Sequence, residues 1–199
     1  MRWRVLATKG CGSAIVEATL AIAGIPYDRE EHDYLTPEGR AAIAAFNPLG
    51  QVPTVVLPDG AVMTESAAIA LYVADRAPGL LPPAGNPARP AALRWLVFLV
   101  AAIYPTFTYG DDPKVFGCGD ELRRSTDKRR EQLWRQVEAV AQQPWFLGDQ
   151  QSVLDVYISI MTRWRPRRAW FAETCPRLTA IATALDRDPR LAAVWAANF

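Results

Sequence analysis

The sequence holds a single histidine, His32, in 199 residues. A multi-histidine metal centre is thereby excluded, and a Ser-His-Asp triad would have to be built on that one ring. Cysteine is scarce as well: Cys11, Cys118 and Cys175 form no C-x-x-C pair. Such spacing fits neither a disulfide framework nor a structural zinc site, and it suits a reducing compartment. No run reaches the roughly 18 apolar residues of a membrane span. The longest, Leu93 to Tyr104, contains Arg94 and meets Pro105. An excess of one charge is also missing, since 22 Lys and Arg face 21 Asp and Glu, which removes the electrostatic case for a nucleic-acid partner. Met1-Arg2-Trp3-Arg4 leads into Thr8-Lys9-Gly10 rather than a secretory apolar core. The composition reads as a soluble cytoplasmic protein without membrane or nucleic-acid partners.

What is present has two textures. Arg4–Thr8 reads as a strand that stops at Lys9-Gly10-Cys11-Gly12, and Ser13–Ala23 as a helix ended by Gly24 and Pro26. Tyr27–Asp33 is a second strand and Arg40–Phe46 a short helix. Val52–Leu57 and Ala61–Met63, joined by Pro58-Asp59-Gly60, read as a hairpin. A helix capped by Thr64 then runs to Ala74. The order is β-α-β-α-β-β-α, a small α/β sandwich over residues 1–78. Residues 79–90 hold the dense Pro/Gly stretch expected of a linker. Beyond it, helices are expected at 91–104, 121–142, 152–164, 177–185 and 190–197, making 91–199 an all-α domain. The fold class is therefore α/β plus all-α.

The chemistry concentrates in two places. In Asn47-Pro48-Leu49-Gly50-Gln51-Val52-Pro53-Thr54, Pro53 removes a ladder donor at the head of a β-branched run. A cis Val52–Pro53 bond resolves this by turning the Val52 backbone outward, where an extended peptide can pair with it; an ordinary trans edge proline is the bland alternative. Glu65-Ser66 opens a helix, where free N–H groups, the dipole and a hydroxyl suit a carboxylate, and Glu65 suits an ammonium. A plain first-turn residue is the bland alternative for Ser66.

With these motifs the sequence resembles the glutathione transferase family along essentially its whole length. Further along, Ser152-Val153-Leu154-Asp155 after Phe146-Leu147-Gly148-Asp149 resembles the family's buried capping-box helix, which belongs to folding rather than catalysis. The resemblance implies a thioredoxin-like N-terminal domain that takes glutathione as co-substrate, an all-helical C-terminal domain, a homodimer and no metal. By position it implies that Val52 bonds the cysteinyl backbone, Pro53 is the cis proline, Glu65 and Ser66 hold the γ-glutamyl group and Gln51 lies near the glycyl arm.

The family's thiol-activating residue has no direct counterpart. Ala7 stands where a tyrosine would end the first strand, and the cysteine of the beta-type enzymes falls on Gly12. The candidates left are Ser13, Cys11 and Thr8, with the N–H groups of Gly12 and Ser13. Ser13 could instead cap the helix, and Cys11 could be a small, half-buried residue or a nucleophile toward glutathione. Tyr104, Thr106 and Tyr109, where Pro105 is expected to break the helix, are candidates for a pocket taking a small hydrophobic electrophile, or simply core. The basic run Arg163–Arg168 reads as a solvated helix end, and His32 receives no chemistry. Three functions stay open: conjugation of glutathione to electrophiles, with a detoxifying role; a glutathione-dependent thiol transferase or peroxidase using Cys11; and a non-catalytic binding module.

Overall fold

Trp3–Ala7 forms the strand β1, and Trp3, Val5, Leu6 and Ala7 on it are all buried. A strand covered on both faces belongs in the middle of a sheet, and β1 is central. The computed structural model describes residues 2–199. Among these, Tyr27–Glu31 (β2), Thr54–Val56 (β3) and Val62–Met63 (β4) complete a sheet of order β2-β1-β3-β4. β1 runs parallel to β2 and antiparallel to β3, and β3 pairs antiparallel with β4. The parallel pair is joined through a helix, Ser13–Ile22 (α1), as a parallel crossover requires.

Alternation along β1 assigns its neighbours. Trp3, Val5 and Ala7 pack with Val16 and Leu20 of α1 and with Ile69 and Val73 of Ser66–Ala74 (α3). Leu6 points the other way, toward Ile43 of Pro37–Ala44 (α2) and Val56. Each such side chain contributes about 1.5–3 kcal/mol by leaving water. The result is the expected thioredoxin-like β-α-β-α-β-β-α arrangement.

Boundaries shift where capping chemistry decides them. α2 begins at Pro37 rather than Arg40, because the Thr36 hydroxyl accepts from the Gly39 N–H at 3.0 Å and Pro37 takes a first-turn site. α1 is preceded by Gly12 and not by a capping Ser13, and α3 by Glu65 and not by Thr64.

The chain forms two compact units. Residues up to Leu80 are joined by Asp186–Phe199, while Leu81–Leu185 stands as the second unit. The helix Ala192–Asn198, α10 in chain order, thus belongs to the sheet unit, because Asn198 bonds α1 and the turn before it.

In the second unit, Pro105 does not end the first helix. Arg89–Phe98 (α4) passes through a π-helical turn, Leu99–Ile103, into Tyr104–Asp111 (α5). Proline has no N–H and its ring crowds the preceding turn, and the wider turn makes room for it. Long and apolar as it is, this continuous helix buries one stripe, Ala92, Leu96, Leu99 and Ile103, and leaves Val97 and Tyr109 exposed. Asp120–Val140 (α6) lays Thr126, Arg130, Leu133, Trp134 and Val137 on one buried stripe. Val153–Met161 (α7) is buried throughout and begins with the expected capping box. The Ser152 N–H donates to Asp155 Oδ2 at 2.7 Å, and the Phe146 N–H to Oδ1 at 2.7 Å. Arg167–Thr174 (α8) and Pro176–Asp186 (α9) follow. The basic run is less solvated than expected: Arg165 pairs with Asp111, and Arg168 donates to the Ser159 carbonyl at 2.9 Å.

Candidate functional site

Strand register collects the sequence motifs at one end of the sheet. Leu6, one residue from the end of β1, lies opposite Thr54, the first residue of β3, so the chain after β1 and the chain before β3 leave the sheet at the same end. Val55, one residue inside β3, lies opposite Met63, the last residue of β4, and α3 starts three residues further on. The turn after β1, the segment before β3 and the tip of α3 therefore share a rim.

The loop before β3 is built by Asn47. Its Nδ2 donates to the Gln51 carbonyl at 3.0 Å and to Thr54 Oγ1 at 3.2 Å, and its Oδ1 accepts from the Leu49 N–H at 3.1 Å. Gly50 is left-handed at φ 60°, and a Cβ there would meet Arg40 Cγ at 2.6 Å. This folding delivers Val52 just outside the ladder. The Val52–Pro53 bond is cis. Among the described residues, neither the N–H nor the carbonyl of Val52 finds a hydrogen-bond partner. Gln51 is exposed, with its carbonyl also accepting from Thr54 Oγ1 at 2.8 Å.

Glu65 precedes α3 at φ 62°, ψ 106°, outside the left-handed well that non-glycine residues tolerate. Such a backbone costs roughly 1–3 kcal/mol and persists where the surroundings impose it, often at a ligand site. Its side chain is exposed, Ser66 is half-buried, and no side chain caps the helix. The first-turn N–H groups of α3 accordingly form an electropositive tip beside a hydroxyl and a carboxylate.

The turn after β1 gives its three candidates different jobs. Ser13 is fully buried; its hydroxyl accepts from the Thr8 N–H at 3.2 Å and donates to the Thr8 carbonyl at 3.1 Å. The Thr8 hydroxyl donates to the His32 carbonyl at 2.5 Å. Cys11 stays half-exposed, with its thiol 3.6 Å from the Lys9 carbonyl. Just beyond it α1 begins without a capping side chain or a first-turn acid, leaving N–H groups and the positive end of the helix dipole at the rim.

A polar chain behind this turn escaped the sequence reading. Glu17, the only charged residue of α1, is fully buried; its Oε2 lies 3.0 Å from Arg29 Nε on β2. Its Oε1 accepts from Asn198 Nδ2 at 3.2 Å. Burial pushes the Glu17 carboxyl up, opposed by the Arg29 guanidinium. Burial likewise raises the phenol of neighbouring Tyr27. A cavity of about 370 Å³ opens beside the pair, floored by Ile25, Pro26 and Tyr27 and walled by Ala193 and Ala197. The signal was legible: a lone glutamate inside an apolar helix demands a cation or a donor.

In the helical unit, Tyr104 packs edge-on against Phe107 and Trp164. Thr106 is buried, its hydroxyl donating to the Ile103 carbonyl at 2.6 Å and accepting from Arg130 Nε at 2.9 Å. Tyr109 is exposed and stacks edge-on against Phe116.

Residues 13–76 match the family model of the glutathione S-transferase N-terminal domain. An uncharacterized GST-like protein, YncG, of Escherichia coli K12 is 37% identical over 201 residues, covering 98% of both chains. Among solved structures, a glutathione S-transferase from a sphingomonad, complexed with glutathione, superposes with a TM-score of 0.81 at 26% identity over 98% of both chains. A glutathione transferase homologue from Sulfitobacter with bound glutathione reaches a TM-score of 0.85 at 22% identity, over 98% of this chain and 97% of that one. With a relative this similar along nearly its entire length, the chain belongs to the glutathione transferase family.

Proposed function

We propose that the protein binds glutathione along the shared rim and conjugates it through its sulfur to small electrophilic substrates. The observation that carries this reading is the gathering, by register, of an unpartnered Val52 main chain, the Glu65-Ser66 tip of α3 and the uncapped tip of α1. Two family members of the same fold hold glutathione. In this reading the γ-glutamyl carboxylate sits on the α3 N–H groups and Ser66, and its ammonium on Glu65. The cysteinyl main chain pairs with Val52, beside Pro53 and Gln51, and the sulfur faces the start of α1. There the helix dipole and free N–H groups favour thiolate over thiol. The thiolate forms a bond to an electrophilic carbon, the leaving group departs with its electron pair, and the thiol proton passes to solvent. Tyr104, Thr106 and Tyr109 are the residues proposed for the electrophile, and a cytoplasmic homodimer with a detoxifying role fits the family.

Titration calorimetry with glutathione and a conjugation assay with an aryl halide test the proposal. Saturable binding with turnover is expected; no binding at millimolar glutathione overturns it.

The half-exposed Cys11 beside an uncapped helix start favours a second reading, a thiol transferase passing through a Cys11–glutathione mixed disulfide. Cys11→Ser separates the two: lost disulfide reduction with conjugation intact supports the second, and unchanged reduction excludes it.

A further inference from the structure

Asn198 is 2% exposed and every polar atom of its side chain is engaged. Oδ1 accepts from the Gly10 N–H at 3.3 Å, while Nδ2 donates to Glu17 Oε1 at 3.2 Å and to the Val194 carbonyl at 3.0 Å. Two acceptors on one side and one donor on the other fix which way the amide points. Gly10 is left-handed at φ +72°, and its Cα side faces α10 so closely that a Cβ would touch the Asn198 carbonyl at 3.5 Å. A continuous path results: Arg29 on β2, Glu17 on α1, Asn198 on α10, then the turn that carries Cys11 and the free N–H groups of Gly12 and Ser13.

We propose that Asn198 is a positioning residue for the thiol end of the site, holding Gly10 so that the tip of α1 aims its N–H groups at the glutathione sulfur. The inference rests on the glutathione reading given above. Merely fastening α10 to α1 does not need such a path. Apolar contacts do that without the several kcal/mol that a buried carboxylate forfeits in lost hydration. The carboxamide is what couples helix to turn, since a neighbouring alanine or valine side chain offers nothing to an N–H. Asn198 also removes a hazard. Glu17 sits in the second turn of the helix whose N-terminus must welcome an anion; Asn198 bonds one oxygen of its carboxylate, and the Arg29 guanidinium lies 3.0 Å from the other.

The test compares wild type, Asn198→Ala, and the double variant Asn198→Asp/Glu17→Gln, which reverses the donor and acceptor but keeps the link to Gly10. The ionisation of bound glutathione is followed by the ultraviolet absorption of its thiolate against pH, alongside kcat and KM. Asn198→Ala should raise the bound thiol's pKa by about one unit, costing about tenfold in kcat below that pKa and almost nothing well above it. KM for glutathione should change little, and the double variant should regain most of the loss. Simple loosening of the fold would lower kcat at every pH. An unmoved thiol pKa in Asn198→Ala overturns the role. Should that variant not fold, the double variant decides: a near-wild-type profile supports the role, and a fully shifted one overturns it. A wild-type protein that binds no glutathione overturns the reading of the site itself, and this role with it.

Discussion

Ser13 closes on Thr8 from both directions, its hydroxyl accepting the Thr8 N–H at 3.2 Å and donating to the Thr8 carbonyl at 3.1 Å. The pair forms a ring that ties the first turn of α1 to the end of β1. Replacing Ser13 by alanine leaves a buried N–H and a buried carbonyl unpaired. Urea denaturation of Ser13→Ala should show a loss of about 1–3 kcal/mol. Cys11→Ser, at a half-exposed position, should stay within about 0.5 kcal/mol of wild type.

Glu65 trades stability for its place on the rim. Glycine adopts φ 62°, ψ 106° without the Cβ penalty. Glu65→Gly should therefore raise the unfolding free energy measured in urea, by about 1 kcal/mol or less because glycine also loosens the unfolded chain. In the same variant glutathione affinity should fall at least about tenfold, the usual cost of a lost charged hydrogen bond. Calorimetry checks the second half, and equal affinity would detach Glu65 from the ammonium.

Asp155 makes stability depend on pH in a direction opposite to most carboxylates. Burial pushes its carboxyl up to about 6, although Phe146 and Ser152 donate to it. Unfolded, an aspartate ionises near pH 3.9, so between roughly pH 4 and 6 the folded chain keeps a proton that the unfolded chain has released. Its contribution is fully present below about pH 4 and lost as pH rises through about 6, a span of at most about 3 kcal/mol. The difference in unfolding free energy between wild type and Asp155→Asn should fall across that window and stay flat from pH 7 upward.

Arg130 is 1% exposed, stacks over Phe107 and grips Thr106 twice, through Nε to the hydroxyl at 2.9 Å and Nη2 to the carbonyl at 2.7 Å. Its Nη1 meets Asp127 at 2.7 Å. Arg130→Ala should cost about 3–5 kcal/mol. Arg130→Lys should recover less than half, because one ammonium cannot reproduce a planar fork on three acceptors. Thermal and urea unfolding report both.

The order of strands and helices was readable because β-branched runs, turn residues and proline spacing all agreed along residues 1–78. The rim was readable in part: Val52, Pro53, Glu65 and Ser66 carry local signals of backbone exposure and helix entry. The rest needed three dimensions. Ser13 looks like a cap until Thr8 is seen bending back to it, and Gly12 then takes the N-terminal place. Pro105 looks like a stop because a sequence does not announce a π turn. Asn198 sits at the far end of a helix that proximity in sequence had grouped with its helical predecessors, whereas its bonds reach Gly10 and Glu17.

The π turn at Leu99–Ile103 also works as a phase adjuster. Each residue of an α-helix advances the side chains by about 100°, so the slack stored there sets which way everything downstream looks. Deleting one residue between 99 and 103 would let the turn close as ordinary α-helix, because a π turn takes about one residue more to go round once, and Tyr104, Phe107 and the grip on Arg130 would keep nearly the same facing. The same deletion placed in either flanking α-helix, where no slack exists, would rotate everything beyond it by about 100°, so the aromatic ring cluster tolerates a change of length at one turn only.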